Sequence, residues 1–507
     1  MNSAQIAIMC TIAVYLIGMV VVGLIVSKKN NTSSEFYLGG RKLGPLVTAM
    51  SAEASDMSGW LLMGLPGVAY LTGICDAGWT AIGLAVGTYI NWLIVARRLR
   101  KYTEVCDSFT LPSFFANRFR DKSKILVGLS ALVIIVFFVP YTASGFAACG
   151  KLFAGVFGAP YVTAMVISAI IILLYTTLGG FLAASLTDFI QSIIMTVALI
   201  TVVGFGIYTA GGLDNVIENA KALPGYFTMF AMHNAETNSA SDYGFISIIS
   251  TLAWGLGYFG VPHILLRFMA IEDGSKLKTS RRVATIWVVI SLFVATFIGV
   301  VGLAMTNAGA LERLADSETI IISISNLLST HGLIFAVIAG VILAGILAST
   351  MSTADSQLLA AASSVSEDWL RHVLGIKLSK KATMIAARLT VVIISAIAVF
   401  IASNPDSKVF DIVAFSWAGF GASFGPVVLF SLFCKRTNKY GAIAGMVSGA
   451  VMVFVWKYLV RPLGGAYNIY ELLPAFIVAC VFIVVVSLLT PAPEKEIVEE
   501  YEKVSSK

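Results

Sequence analysis

The chain has 507 residues, 58% of them apolar and 12% charged, with a mean hydropathy of +0.88. Soluble domains carry about 25% charged and about 45–50% apolar residues, so this composition excludes a water-soluble globule and identifies lipid as the solvent. The formal charge is +6, and the six cysteines and four histidines form no CxxC or HExxH pattern, which excludes the common redox and zinc motifs.

Apolar runs bounded by charge or by Gly, Pro and Asn give thirteen candidate spans, taken in chain order as segments one to thirteen. They are 5–27, 46–70, 77–96, 125–150, 160–179, 187–209, 244–268, 283–306, 332–362, 384–402, 409–433, 441–459 and 471–490. A crossing helix needs about 20 apolar residues. The first run is longer than a signal-peptide core and lacks a cleavage pattern, so it is expected to remain as a span. Lipid-exposed backbone must satisfy its own N–H and C=O groups, which leaves helices or a closed barrel. A barrel strand alternates apolar and polar residues, and 130–138 (Ser-Ala-Leu-Val-Ile-Ile-Val-Phe-Phe) does not. The expected fold is an all-α polytopic membrane protein of about 13 transmembrane helices. A charged tail, 491–507, follows and is expected to be a solvated helix.

Basic residues orient the chain. With the N-terminus outside, the loops and segment edges that become cytoplasmic hold all but six of the 34 Lys and Arg residues. They include Lys28, Lys29, Arg41, Lys42, Arg118, Arg120, Arg267, Lys377, Lys380, Lys381 and Lys507. The six on the other side are Lys151, Lys221, Arg313, Lys408, Lys457 and Arg461. The C-terminus is then cytoplasmic, and the positive balance is explained by topology rather than by nucleic-acid binding. No GxxxxGK[ST] motif occurs, and the longest loop, 210–243, is far shorter than a nucleotide-binding domain. ATP is therefore not expected as the energy source. No TVGYG-like filter is present either. An ion-driven carrier or a passive facilitator remains.

Segment two holds Ser51, Glu53, Ser55, Asp56, Ser58 and Gly59 near its middle. A carboxylate at bilayer depth costs about 2.5–3.5 kcal/mol even on insertion scales, and Ser, Asp and Gly compete with helical bonding. An unwound stretch near 54–58 follows, unless the patch is simply buried between helices. Segment seven holds Gly255, Gly257, Gly260 and Pro262, which predict a second break near 257–260. Segments two and seven each begin a block of five, and blocks of odd number have opposite orientation. Paired breaks in such halves point to a binding site at the bilayer midplane. Trp254 and Tyr258 share a helical face, for packing or for contact with a ligand. In segment nine, Ser349, Ser352 and Thr353 fall at i, i+3 and i+4. Their oxygens suit a hard cation, although hydroxyls also serve helix packing. Asp355 lines a cytoplasmic exit or is an ordinary charge near a helix end.

Three stretches resemble the signatures of the sodium/solute symporter family. They are 36–44 (Phe-Tyr-Leu-Gly-Gly-Arg-Lys-Leu-Gly) with 51–67, then 175–181 with 187–191, then 255–263 with 267–270. The likeness covers about 5–490 and is strongest to bacterial members that carry proline. It implies the sodium-coupled leucine transporter-like fold, with 5+5 inverted repeats at about 46–209 and 244–433. Segment one (5–27) and segments twelve and thirteen (441–490) lie outside the repeats. It implies a sodium site of carbonyls from Ala54, Met57 and Ser349 and hydroxyls from Ser352 and Thr353. Related chains often have Ala at the position of Ser349, which a carbonyl ligand tolerates. Asp56 and Asp188 are implied in sodium dependence and Arg41 in coupling. Ser58, Trp60, Tyr141, Trp254, Tyr258 and Pro262 are implied around L-proline. The expected activity is sodium-coupled uptake of L-proline by alternating access in the bacterial plasma (inner) membrane. It is not enzymatic, and no cofactor is expected beyond Na+ as coupling ion. The alternatives are a sodium symporter for pantothenate or another amino acid, a channel, or a transporter-like sensor. The number of subunits does not follow from the sequence.

Overall fold

A backbone surrounded by lipid bonds to itself, and the computed structural model is helical along most of its length. It describes residues 2–27, 33–376 and 379–505. Lys28, Lys29, Lys377 and Lys507, counted above toward the cytoplasmic charge, lie outside the described residues. So do the side chains of Lys380 and Lys381 and of several signature residues, among them Phe36 and Tyr175. The one departure from helix among the described elements is a hairpin, Ala231–Asn234 paired antiparallel with Ser239–Asp242, in the 210–243 loop.

Among the described residues, ten helices are long and apolar enough to cross a bilayer, and the bent pair Phe245–Phe259 and Pro262–Ala270 makes an eleventh. Two of the thirteen expected spans therefore fall short of that test. Segment five is one helix, Tyr161–Gly179, whose fully described apolar part is Tyr161–Leu174. Segment two is divided into Pro45–Asp56, a wide π turn Trp60–Gly64 and Leu65–Thr72, each too short to span alone.

Both expected breaks are present, with shifted edges. In segment two the α-helix holds through Asp56 and stops at Met57, and Gly59 is helical again, so the interruption is confined to 57–58 within the expected 54–58. Ser58 N–H turns back to the Asp56 carbonyl at 2.8 Å and does not continue the ladder to Ala54. In segment seven, Phe245–Leu252 tightens to a 3-10 helix, Ala253–Phe259, which ends at Gly260. Val261 is extended, as the residue before a proline must be, and Pro262 opens Pro262–Ala270 at an angle of 45°. Glycine is required here by close approach: the Trp417 indole occupies the place a Cβ on Gly257 would take, and the Phe420 carbonyl blocks one on Gly260.

The first half of segment two lies among segment six (Phe181–Thr209), segment eight (Leu277–Asn307), segment nine (Leu333–Ser363) and Pro262–Ala270. The 3-10 stretch of segment seven packs on segment three and on segment eleven (Val409–Phe433). The two interruptions meet inside the bundle, where the Tyr258 hydroxyl reaches the Asp56 carboxylate.

The tail departs from expectation. Lys495–Ser505 is a helix, but it is docked rather than solvated. Ile497 and Val504 are buried and Tyr501 is packed on the core, at i, i+7 and i+4 on one face. Arg118 lies over the Tyr501 ring, Arg120 pairs with Glu496 and Glu500, and the Lys101 ammonium donates to the Val504 carbonyl at 2.8 Å.

Candidate functional site

The break in segment two frees the Ala54 carbonyl from its helical partner. Ser352 of segment nine takes that place: its hydroxyl donates to the Ala54 carbonyl at 2.8 Å and is 3.0 Å from the Ser349 carbonyl. Thr353 Oγ1 is also 3.0 Å from the Ser349 carbonyl. Four of the five oxygens that the resemblance assigns to sodium are thus linked by hydrogen bonds, the Ser352–Ala54 bond joining the two helices, and Met57, the fifth residue of the set, is where the helix stops. Every member is a neutral hard oxygen, the donor type that a hard cation prefers. The hydroxyl hydrogens that now point at carbonyls would turn away to present lone pairs to an ion.

Asp56 lies two residues beyond Ala54 and gathers the aromatic set. Tyr258 donates its hydroxyl to Asp56 Oδ2 at 2.6 Å. The Trp60 indole N–H and the Tyr141 hydroxyl both donate to the Asp56 backbone carbonyl, at 3.1 and 3.3 Å. Asp56 Oδ1 is buried with no hydrogen-bond partner among the described residues. Ser58 sits within the same turn, its hydroxyl 3.5 Å from Trp60 N. Trp254 lies beside Trp60, ring centroids 6.2 Å apart. Pro262 is buried at the first position of its half-helix, and the adjacent His263 ring contacts Tyr141 at 6.3 Å.

Asp188 and Arg41 lie in separate networks. Asp188 accepts from Ser51 Oγ at 2.6 Å and from Arg267 Nη2 at 3.0 Å, and Arg267 also reaches Ser356 Oγ of segment nine at 2.6 Å. This joins segments two, six, seven and nine. Arg41 lies in the connector before segment two and donates to the carbonyls of Met269, Thr103 and Ser108 at 2.7, 3.0 and 2.9 Å. Burial and the neighbouring Arg100 pull its guanidinium down to about 10, so it stays charged at neutral pH. Asp355 is buried within the segment-nine helix and lines a small cavity with Gly23, Thr176, Gly180, Ala183, Ala184 and Leu359, rather than standing at a helix end.

Three participants escaped the sequence reading. Arg267 was counted among cytoplasmic charges, yet it is 1% exposed on an Asp188 that is 0% exposed. Trp417 donates its indole N–H to the Trp254 carbonyl at 2.8 Å and stands edge-on to the Tyr258 ring at 5.1 Å. A large aromatic among the small residues Ser416, Ala418, Gly419 and Gly421 of segment eleven was its available signal. Tyr470, between segments twelve and thirteen, stacks on Trp254 and carried no signal beyond its residue type.

The sodium:solute symporter family model matches residues 36–449. A "Sodium/proline symporter" of Staphylococcus aureus (strain USA300) is 42% identical over 501 residues, covering 97% of this chain and 94% of its own. The "Osmoregulated proline transporter OpuE" of Bacillus subtilis (strain 168) is 41% identical over 493 residues, covering 97% and 96%. Among solved structures, a Na+-coupled sialic acid symporter in a substrate-bound outward-open state superposes with a TM-score of 0.76 at 16% identity, covering 96% of this chain and 99% of that one. MhsT in complex with L-phenylalanine gives 0.52 at 13% identity, covering 88% and 98%. The structural likenesses establish a shared transporter fold. The family match across most of the chain, together with relatives above 40% identity end to end, shows that this protein belongs to the sodium:solute symporter family.

Proposed function

We propose that this protein carries L-proline into the cell together with Na+ by alternating access. The observation that carries the mechanism is the hydrogen bond from the Ser352 hydroxyl to the freed Ala54 carbonyl, two residues from Asp56, with the Ser349 carbonyl accepting from both Ser352 and Thr353 on the same helix. Sodium binds at Ala54, Met57, Ser349, Ser352 and Thr353. It draws segment nine onto the broken segment two and fixes the turn that presents Asp56, Ser58 and Trp60. Proline then rests among Trp60, Tyr141, Trp254 and Tyr258, with Ser58 and Pro262 at the helix interruptions. The unpartnered N–H groups of a half-helix suit its carboxylate. Proline as the solute is supported by the two relatives named for it.

The chain crosses the plasma membrane thirteen times, N-terminus outside and C-terminus inside, with segment two counted as one interrupted span and segment five as a full one. Residues 46–209 and 244–433 are the inverted repeats. Radiolabelled proline uptake into proteoliposomes, with and without an inward sodium gradient and without ATP, tests the proposal. Uptake should appear only with the gradient and should fall in Trp254→Ala. Uptake indifferent to sodium, or of pantothenate in preference to proline, would overturn it.

A further inference from the structure

We propose that Tyr470, which lies outside the repeats, is a positioning residue for the proline site: it holds the Trp254 indole in place from the extracellular side. The proposal rests on the reading of Trp254 as a proline contact.

Tyr470 belongs to the connector between segments twelve and thirteen, just ahead of the helix Leu472–Leu489. Its neighbours Leu463 and Tyr467 are exposed, at 70% and 51%, whereas Tyr470 is 6% exposed. Each of its groups is engaged. The ring stacks on Trp254 with centroids 5.1 Å apart and planes 21° from parallel. The hydroxyl donates to the Ala414 carbonyl of segment eleven at 2.6 Å, and the backbone N–H donates to Ser250 Oγ of segment seven at 2.7 Å. The next residue, Glu471, is buried against Arg461 at 2.9 Å and Lys457 at 3.8 Å, which fixes the connector itself.

These ties constrain Trp254 from both ends. Its backbone carbonyl accepts from Trp417, and its ring has Tyr470 stacked on it, Phe410 tilted at 5.1 Å and Trp60 at 6.2 Å. An indole held this way cannot swing toward the extracellular loops unless Tyr470 leaves. A pocket wall that is fixed before binding saves the ordering cost at binding. Removing Tyr470 should therefore weaken proline binding, while Ala54, Met57, Ser349, Ser352 and Thr353, none of which Tyr470 bonds, keep their places.

The test is equilibrium binding of radiolabelled proline at saturating sodium, with the number of sites per purified protein counted. Wild type is compared with Tyr470→Ala, Tyr470→Leu, Tyr470→Phe, Trp254→Ala and the Tyr470→Ala/Trp254→Ala pair. Tyr470→Ala should raise the dissociation constant about tenfold, the scale of a lost aromatic stack and its buried area, with the site number intact. Tyr470→Leu, which keeps more of the buried volume, should behave likewise if Ala proves unstable. Tyr470→Phe should recover most of the affinity. The double variant should be no weaker than Trp254→Ala alone, because the two residues act as one unit. Fewer sites at an unchanged dissociation constant would make Tyr470 merely structural and overturn the proposal. So would effects that multiply in the double variant, or a Tyr470→Ala with wild-type affinity beside a weakened Trp254→Ala. An unchanged Trp254→Ala would instead remove the underlying reading of the pocket, and is recognisable because Tyr470 takes no part in it.

Discussion

Tyr258 of segment seven donates its hydroxyl to Asp56 of segment two at 2.6 Å, across the two interruptions. One residue belongs to the set assigned to proline and the other to the set assigned to sodium. Asp56 follows Ala54, whose carbonyl meets Ser352, and its own carbonyl accepts from Trp60 and Tyr141. A single turn of backbone therefore presents one face to the proposed cation site and the other to the aromatic ring set. Two ligands that share a structural element bias each other by the same factor in both directions.

Tyr258→Phe isolates that link, because it keeps the ring and removes only the hydroxyl. A hydrogen bond to a charged group contributes about 1.5–3 kcal/mol, or roughly ten- to a hundredfold in a binding constant. The half-saturation concentrations for proline and for sodium should both rise, measured as proline binding across a sodium titration. A shift confined to proline would mean that the Asp56 contact transmits nothing.

Ser352→Ala and Thr353→Ala each delete one oxygen from the proposed cation site and keep the helix, since Ala is its best former. The sodium concentration for half-maximal uptake should rise steeply in both. Proline affinity should fall at low sodium and recover as sodium is raised, and the double variant should be nearly indifferent to sodium. A loss of proline binding that no sodium concentration restores, with sodium binding intact, would assign these hydroxyls to packing or to the substrate.

The interruptions were legible because Ser, Asp, Gly and Pro at bilayer depth conflict with helix and lipid alike, so their presence demands a local reason. The Ser349 face was legible from spacing alone. The edges of the breaks were not: Met57 ends the helix through its own backbone angles, φ −76° and ψ 69°, which no residue type announces. Arg267 follows an apolar run and reads as a loop charge. Its burial depends on Asp188, 79 residues away in the chain, and pairing across that distance has no local signature. The tail misled for the opposite reason. Its apolar face of Ile497, Tyr501 and Val504 is three residues wide, and the charges around it hide the period. Trp254 and Tyr258 both contact Trp417, while the Trp254 ring also stacks on Tyr470 and the Tyr258 hydroxyl reaches Asp56.

The docked tail should respond to both salt and apolar substitution. Its ion pairs with Arg120 and Lys435 are largely exposed, and exposed pairs contribute about 0–1 kcal/mol each and are screened over about 8 Å at physiological salt. Trypsin cleavage within Lys495–Ser505 should therefore rise modestly with ionic strength. Ile497→Ser with Val504→Ser should raise it further at every salt concentration. Cleavage that is equal in wild type and variant would mean that the tail is not seated in solution.

The Asp188–Arg267 pair makes the sharpest demand on stability. Both groups are buried, and they share Ser51 as a common hydrogen-bond partner while Arg267 also holds Ser356. Taking two charges out of water is costly, and their attraction offsets that cost only while both are present. Asp188→Asn should therefore remove the guanidinium's direct ion-pair partner and destabilise the fold by up to about 3–5 kcal/mol, the range for breaking a buried pair from one side. Arg267→Met alone should cost a comparable amount by stranding the carboxylate. The double variant, Asp188→Asn with Arg267→Met, removes both charges and should unfold closer to wild type than either single variant. Thermal unfolding of the purified proteins in detergent measures this directly. Sodium dependence separates a structural pair from a functional one. If Asp188 acts on sodium as the family resemblance implies, the double variant recovers its unfolding temperature but not its response to sodium. A double variant that unfolds as early as Asp188→Asn would show that the serines, not the ion pair, hold segments two, six, seven and nine together.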